Sequence, residues 1–81
     1  MISGAQIRAA RGLLNLSSKQ VAMLTGVSWA TIKRFEDTNT IPPSRSGTLE
    51  RVKDALEAEG VEFIGDPLLT PGVRLRAKSR R

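Results

Sequence analysis

One predicted helix carries the side chains of this chain that best suit a charged partner. Its solvent-facing side holds Trp29, Ala30, Lys33 and Arg34, and the chain has no acid before Glu36. Two cations beside an aromatic ring suit an anion, and a helix has about the width of the DNA major groove. The pattern predicts a nucleic-acid contact. A charged face that is merely solvated is the simpler alternative.

Residue types that commonly perform catalysis or bind metals are missing. The 81 residues include no Cys and no His, so the chain lacks thiolate ligands, a disulfide framework and the commonest general base. We therefore expect no enzyme activity, no cofactor and no metal. No apolar run is long enough to cross a bilayer, and the N-terminus lacks a signal-peptide pattern. A cytoplasmic, nucleoid-associated protein without a membrane partner is expected.

The net charge of +5 is unevenly distributed along the chain. The first 35 residues contain five bases and no acid, residues 36–73 contain eight acids and three bases, and residues 74–81 contain five bases. Because steering follows the local potential, such segregation can attract a polyanion to one side of a small domain. The alternative is that the charges only keep the protein soluble.

Two short helices joined by a tight turn are predicted to hold the cationic face. Ser17 and Gln20 form a capping box that begins the first helix, and Gly26 can adopt the positive φ that ends it. Ser28 offers the N-cap of the second helix. The apolar positions expected to face the core are Val21, Ala22, Leu24, Ile32 and Phe35.

The spacing of six residues across this corner resembles the lambda-repressor/Cro-type helix-turn-helix family, also called the XRE family. These residues are Ala22, Gly26, Val27, Ser28, Ile32 and Glu36. The resemblance is specific over residues 16–36 and weaker from 6 to about 56. It implies a sequence-specific, double-stranded-DNA-binding regulator of transcription, expected to be a repressor, whose helix at residues 28–35 enters the major groove.

The expected DNA contacts come from two helix N-termini, the outer side of the second helix and the loop after it. Helix N-termini attract phosphate. Cations on the outer side of the second helix can contact guanine edges or phosphate. Ser18 stands where family members often have a DNA-contacting Gln, so a weaker contact is expected. Trp29 either meets thymine methyls or sugar, or packs on its own domain. The full set is Ser17, Ser18, Lys19, Ser28, Trp29, Ala30, Lys33, Arg34, Asn39, Thr40 and Arg45.

The resemblance also implies a structural ion pair between Arg11 and Glu36, which would fix the first helix against the third. The alternative is that Arg11 contacts a phosphate. Another capping box, Ser3 with Gln6, is predicted to begin the first helix. The loop at residues 37–44 is the part that runs beside the DNA backbone in the family, although a plain surface loop is equally compatible with its composition.

The C-terminal third is predicted to be a helix followed by a β-hairpin. The helix begins near residues 44–48 and ends at Glu59, and the alternation of residues 61–64 and 73–76 is typical of strands. Glu62 would oppose Arg74 or Arg76. A bare hairpin is marginally stable, so it either mediates a homodimer or packs on the fourth helix. The residues expected to face inward, and assigned to dimerisation, are Val61, Phe63, Val73 and Leu75.

The expected architecture is mainly α: a lambda-repressor-like four-helix domain with a helix-turn-helix, followed by a C-terminal β-hairpin in place of a fifth helix. The domain covers residues 1–60, the hairpin 61–76 and a basic, disordered tail 77–81. Two other functions remain open. One is an antitoxin-type DNA-binding protein that also binds a partner protein through its hairpin. The other is non-specific binding of nucleic acid.

Overall fold

Four helices are followed by a two-stranded antiparallel hairpin in this computed structural model, which describes residues 1–45 and 47–76. The helices are α1 (Gly4–Leu14), α2 (Ser18–Thr25), α3 (Trp29–Glu36) and α4 (Thr48–Ala58), and the strands are β1 (Val61–Ile64) and β2 (Gly72–Leu75). The mainly helical fold with a terminal hairpin is thus confirmed. The tail predicted at residues 77–81 lies outside the described residues. None of the described helices has the length and apolarity needed to cross a membrane.

The ends of the helices follow the local sequence closely. Ser3 and Ser17 each form the predicted capping box with a glutamine three residues later. Asn15, with φ 59°, and Gly26, with φ 75°, end α1 and α2 in the left-handed conformation. Helix α4 begins at Thr48, the late end of the predicted range, and no side chain caps its first turn.

A continuous hydrophobic core joins all four helices and the first strand. One prediction for this core is wrong: Leu24 is 38% exposed, and Thr25 is buried in its place. Thr25 lies one helical turn after Val21 on the inner side of α2, and its hydroxyl donates to the Val21 carbonyl at 2.9 Å. The buried apolar residues are Ile2, Ile7, Ala10, Val21, Val27, Ile32, Phe35, Leu49, Val52, Leu56 and Val61.

Helix α1 meets the end of α3 through backbone contact at Gly4. A Cβ atom at this position would overlap the carbonyl oxygens of Phe35 and Thr38. The Gly4 N–H donates to the carbonyl of Thr40 at 2.9 Å. Because the approach requires glycine, the first turn of α1 fixes the position of the C-terminus of α3 and of the loop that follows.

The hairpin packs on the helices of its own subunit. Val61 pairs with Leu75 and Phe63 with Val73, so these four side chains share one side of the sheet. Val61 is buried in the core, and Phe63 and Val73 pack against it. Leu75 shares this side of the sheet but is 44% exposed, so the expectation that it is buried against the helices is wrong.

Polar contacts join the two strands of the hairpin to each other and the hairpin to α1. On the opposite side from Val61, Glu62 forms the predicted cross-strand pairs with Arg74 at 2.6 Å and Arg76 at 3.4 Å. The buried Gln6 of α1 donates from Nε2 to the carbonyl of Gly72 at 3.0 Å and to that of Ile64 at 3.3 Å. The capping glutamine of α1 therefore also attaches the hairpin to the helices.

Candidate nucleic-acid interface

The turn between α2 and α3 is held by a buried hydroxyl. Thr25 Oγ1 accepts a hydrogen bond from the Val27 N–H at 3.2 Å while it donates to the carbonyl of Val21. Gly26 donates its N–H to Ala22 at 2.9 Å, and Val27 is buried beneath the turn. These bonds satisfy the polar groups of the corner, so α3 leaves it in a defined direction.

The two sides of α3 differ sharply in burial. Ile32 and Phe35 have no exposed surface, whereas Ala30, Lys33 and Arg34 are exposed. Among the described residues, neither of these two cations forms a salt bridge with a carboxylate. Both charged groups are therefore exposed to solvent and accessible to an anionic partner.

Trp29 stands at the first turn of α3 and is 48% exposed. The ammonium group of Lys19, on α2, lies 5.0 Å from the centroid of the indole ring, within the range of a cation–π contact. Trp29 is therefore supported by α2 on one side and open to solvent on the other. The contact joins the two helices on their outer surface and places the cation of Lys19 beside the first turn of α3.

Arg34 extends from α3 toward the loop that follows it. Its guanidinium carbon lies 5.4 Å from the ring centroid of Phe35, and Nη1 donates to the carbonyl of Pro43 at 3.5 Å. The apolar stem and the ring orient the cation, while most of its N–H donors remain for other partners. Arg45, which follows this loop, is exposed.

The ion pair between Arg11 and Glu36 is present. Arg11 Nε lies 2.9 Å from Glu36 Oε2, and Glu36 is only 4% exposed. Arg11 also donates from Nη1 to the carbonyl of Leu16 at 3.3 Å. Ser18, assigned to DNA from the sequence, donates its hydroxyl to Glu36 Oε1 at 3.4 Å. Its side chain is therefore directed toward the ion pair.

The N-termini of α2 and α3 lie on the exposed surface. The hydroxyl oxygen of Ser17 accepts from the Gln20 N–H at 3.1 Å, and that of Ser28 accepts from the Thr31 N–H at 3.3 Å. Both serines are exposed. Other amides of these first turns have no partner within their helices, as at any helix start, and such groups can bind phosphate.

Arg8 is a functional candidate that the sequence did not single out. Its guanidinium donates to the carbonyls of Glu36 and Thr38 and to Oδ1 of Asn39. Asn39 and Thr40 are exposed, as expected for the loop. The available signal was the spacing of Arg8 and Arg11, since residues three apart lie on one side of a helix.

The hairpin loop forms a second exposed feature of the molecule. Asp66 Oδ1 accepts from the amides of Leu68 and Leu69 at 2.9 Å each, and Thr70 Oγ1 accepts from the Asp66 amide at 2.9 Å. The bonds from Leu69 and Leu68 hold the pKa of Asp66 below its ordinary value of 3.8. They also hold both leucines outward, with Leu68 56% and Leu69 83% exposed.

No protein-family model and no curated protein matches this chain. Within residues 1–45 and 47–76, no group of three acidic, His or Cys side chains is arranged to bind a metal ion. The interpretation of the cationic surface therefore depends on the geometry and charge described above.

Proposed function

We propose that this chain is a sequence-specific, double-stranded-DNA-binding regulator of transcription with a lambda-repressor-like fold, acting as a repressor. One observation carries the proposal. The exposed side of α3 presents Trp29, Lys33 and Arg34 on a rigid two-helix corner, and no described carboxylate neutralises the two cations. A preorganised cationic helix of this kind suits the major groove.

Each part of the surface has a separate role in this proposal. Lys33 and Arg34 contact guanine edges or phosphates, because the major groove presents the O6 and N7 acceptors of guanine. Trp29 and Ala30 contact thymine methyl groups or sugar. Phosphates on either side are met by the N-terminal amides of α2 and α3, by Lys19, and by the loop that contains Asn39, Thr40 and Arg45.

A homodimer would let the protein contact two half-sites about one helical turn apart. Since Val61 is buried in its own core, the hairpin surface for a second copy consists of Leu75 with the half-buried Phe63 and Val73. Leu75→Asp should therefore produce monomers in sedimentation experiments without lowering the thermal stability. A dimer that persists in this variant would place the interface elsewhere.

Selection of bound duplexes from a random pool tests the proposal directly. We expect one enriched sequence, with the symmetry of the assembly, and an affinity that falls steeply with salt because phosphates are neutralised. The enriched duplex is then competed against random DNA at fixed salt. Equal competition would reject the regulator and leave non-specific binding of nucleic acid.

The exposed hairpin loop favours one additional function, the antitoxin-type role in which the hairpin binds a partner protein. Two leucines held outward by Asp66 are a suitable apolar contact for another chain. Copurification of one defined polypeptide from the source cell, lost on Leu69→Asp, would support this role. Retention of the same polypeptide by the variant would exclude the loop as its binding site.

A further inference from the structure

Arg8 donates to three acceptors at the end of α3 and the start of the loop that follows it. From α1 its guanidinium donates to the carbonyl of Glu36, in the last turn of α3, and to the carbonyl of Thr38 and Oδ1 of Asn39 in the loop. The last carbonyls of a helix have no partners inside it, and a cation there is favourable. Arg8 thus caps α3 from another helix and fixes the start of the loop.

The chemistry of the guanidinium determines the orientation of the Asn39 carboxamide. Arginine carries only donors, so the atom of Asn39 that faces Arg8 must be the acceptor Oδ1. The NH2 group therefore occupies the other branch of the carboxamide. Asn39 is exposed, and this NH2 group has no hydrogen-bond acceptor among the described residues. The result is an NH2 donor, on an exposed residue of the loop, that is free for another partner.

Further bonds hold this loop in place before any ligand arrives. Gly4 donates to the carbonyl of Thr40 at 2.9 Å, and the hydroxyl of Thr38 accepts from the Thr40 amide at 3.1 Å. Arg34 reaches the carbonyl of Pro43 from α3. A loop that is already ordered loses little conformational entropy on binding, so its donors are available at low cost.

We propose that Arg8 is a positioning residue that presents the NH2 group of Asn39 to a phosphate of the bound DNA. The inference rests on the proposed function, since it assigns a phosphate contact to the same surface. Phosphate oxygens accept hydrogen bonds only, so the orientation that Arg8 imposes is the productive one. Arg8 itself does not contact the DNA.

A double-mutant cycle on the full chain tests this coupling. The variants are Arg8→Met, Asn39→Leu and the two combined, with Arg51→Met as control because it removes the same charge from the exposed side of α4. Affinity for the selected duplex and thermal stability are measured for each. We expect Asn39→Leu to weaken binding about tenfold, the size expected for a lost hydrogen bond to a charged group.

If Arg8 acts through Asn39, the combined variant should bind no more weakly than Arg8→Met alone, and Arg51→Met should bind within about twofold of the wild type. Additive losses, or wild-type affinity in Asn39→Leu, would overturn the inference. A structural role alone would lower the melting temperature of Arg8→Met and leave the affinity of the folded protein unchanged.

Asn39→Asp supplies a second comparison that does not depend on Arg8→Met folding. The new carboxylate keeps an acceptor for Arg8 but removes the donor, so the melting temperature should not fall while DNA affinity does. Unchanged affinity in this variant would also overturn the inference. Absence of any sequence preference in the wild type would instead reject the proposed function, which keeps the two failures distinct.

Discussion

Arg11 Nε lies 2.9 Å from Oε2 of Glu36, and this ion pair links α1 to the last residue of α3. Because Glu36 is 4% exposed, loss of its partner leaves a buried carboxylate whose remaining hydrogen bond among the described residues comes from the hydroxyl of Ser18. The pair therefore contributes to the attachment of α3 to the domain.

Arg11→Met should lower the free energy of unfolding by about 3 kcal/mol, the cost of breaking a buried pair on one side. Arg74→Met is the matched control, since Arg74 pairs with Glu62 at the surface and is 65% exposed. That change should cost less than about 1 kcal/mol. Denaturant unfolding measures the loss of free energy in both variants. Similar losses would show that the burial of Glu36 does not raise the cost of removing its partner.

Replacing Lys33 and Arg34 together by alanine should abolish specific DNA binding and leave the fold intact, because both side chains are exposed and neither pairs with a described carboxylate. The control replaces Arg51 and Lys53 of α4, which removes the same charge. Lys53 pairs with Glu57 one turn later, so the control should lose only about 0.5 kcal/mol of stability. Specific binding that survives in the first variant would mean that the cations of α3 are not the recognition surface.

Trp29 is the only tryptophan of the chain and is half exposed, so its fluorescence reports on the surface of α3. We expect the selected duplex to quench the emission and shift it to shorter wavelength, because DNA excludes water from the indole. The signal should saturate at the stoichiometry of binding. A spectrum that stays constant while the protein binds DNA would place Trp29 outside the interface.

Two capping boxes allow the same substitution to be compared in two surroundings. Gln20→Glu should be neutral or slightly stabilising, because Gln20 only caps α2 and an acid suits a helix N-terminus. Gln6→Glu should destabilise the fold by about 2 kcal/mol or more, since it directs a carboxylate at the carbonyls of Ile64 and Gly72. Thermal unfolding compares the two variants. An equally small effect at both positions would show that Gln6 does not attach the hairpin.

The hairpin loop should respond to acid. Hydrogen bonds from Leu69 and Leu68 hold the pKa of Asp66 below 3.8. Their contribution to stability is therefore complete above pH 3.8, and it is lost as the pH falls through the lowered pKa of the folded protein. The amide resonances of Leu68 and Leu69 should titrate with a midpoint below 3.8. They should not titrate this way in Asp66→Asn. A midpoint at 3.8 or above in the wild type would contradict the described loop.

Local patterns were sufficient to predict the caps at Ser3, Ser17 and Ser28, because each cap depends on residues within one helical turn. The pair of Arg11 with Glu36 came from the family resemblance, since spacing alone does not bring these residues together. Burial was harder to predict. Leu24 is more apolar than its neighbour Thr25, but the direction of α2 against the core decided which one is buried.

The contacts that organise the candidate site were the least accessible from the sequence. Arg8 bonds to a residue 30 positions away and Gln6 to residues 58 and 66 positions away, and only the packing of α1 on the loop and the hairpin brings these groups within reach. Leu75 shows the same limit. Its alternation with Val73 was correct, but alternation gives only the side of the sheet and not how much of that side the helices cover.

Gly4 has a consequence for how the protein would evolve new targets. Its backbone lies directly against the carbonyls of Phe35 and Thr38, so any larger residue there would push the end of α3 away from α1. In the DNA-binding role proposed above, such a change would alter the angle of α3 on the duplex while every outward side chain stayed the same. The sequence preference would then depend partly on Gly4, which lies against the backbone of its own chain.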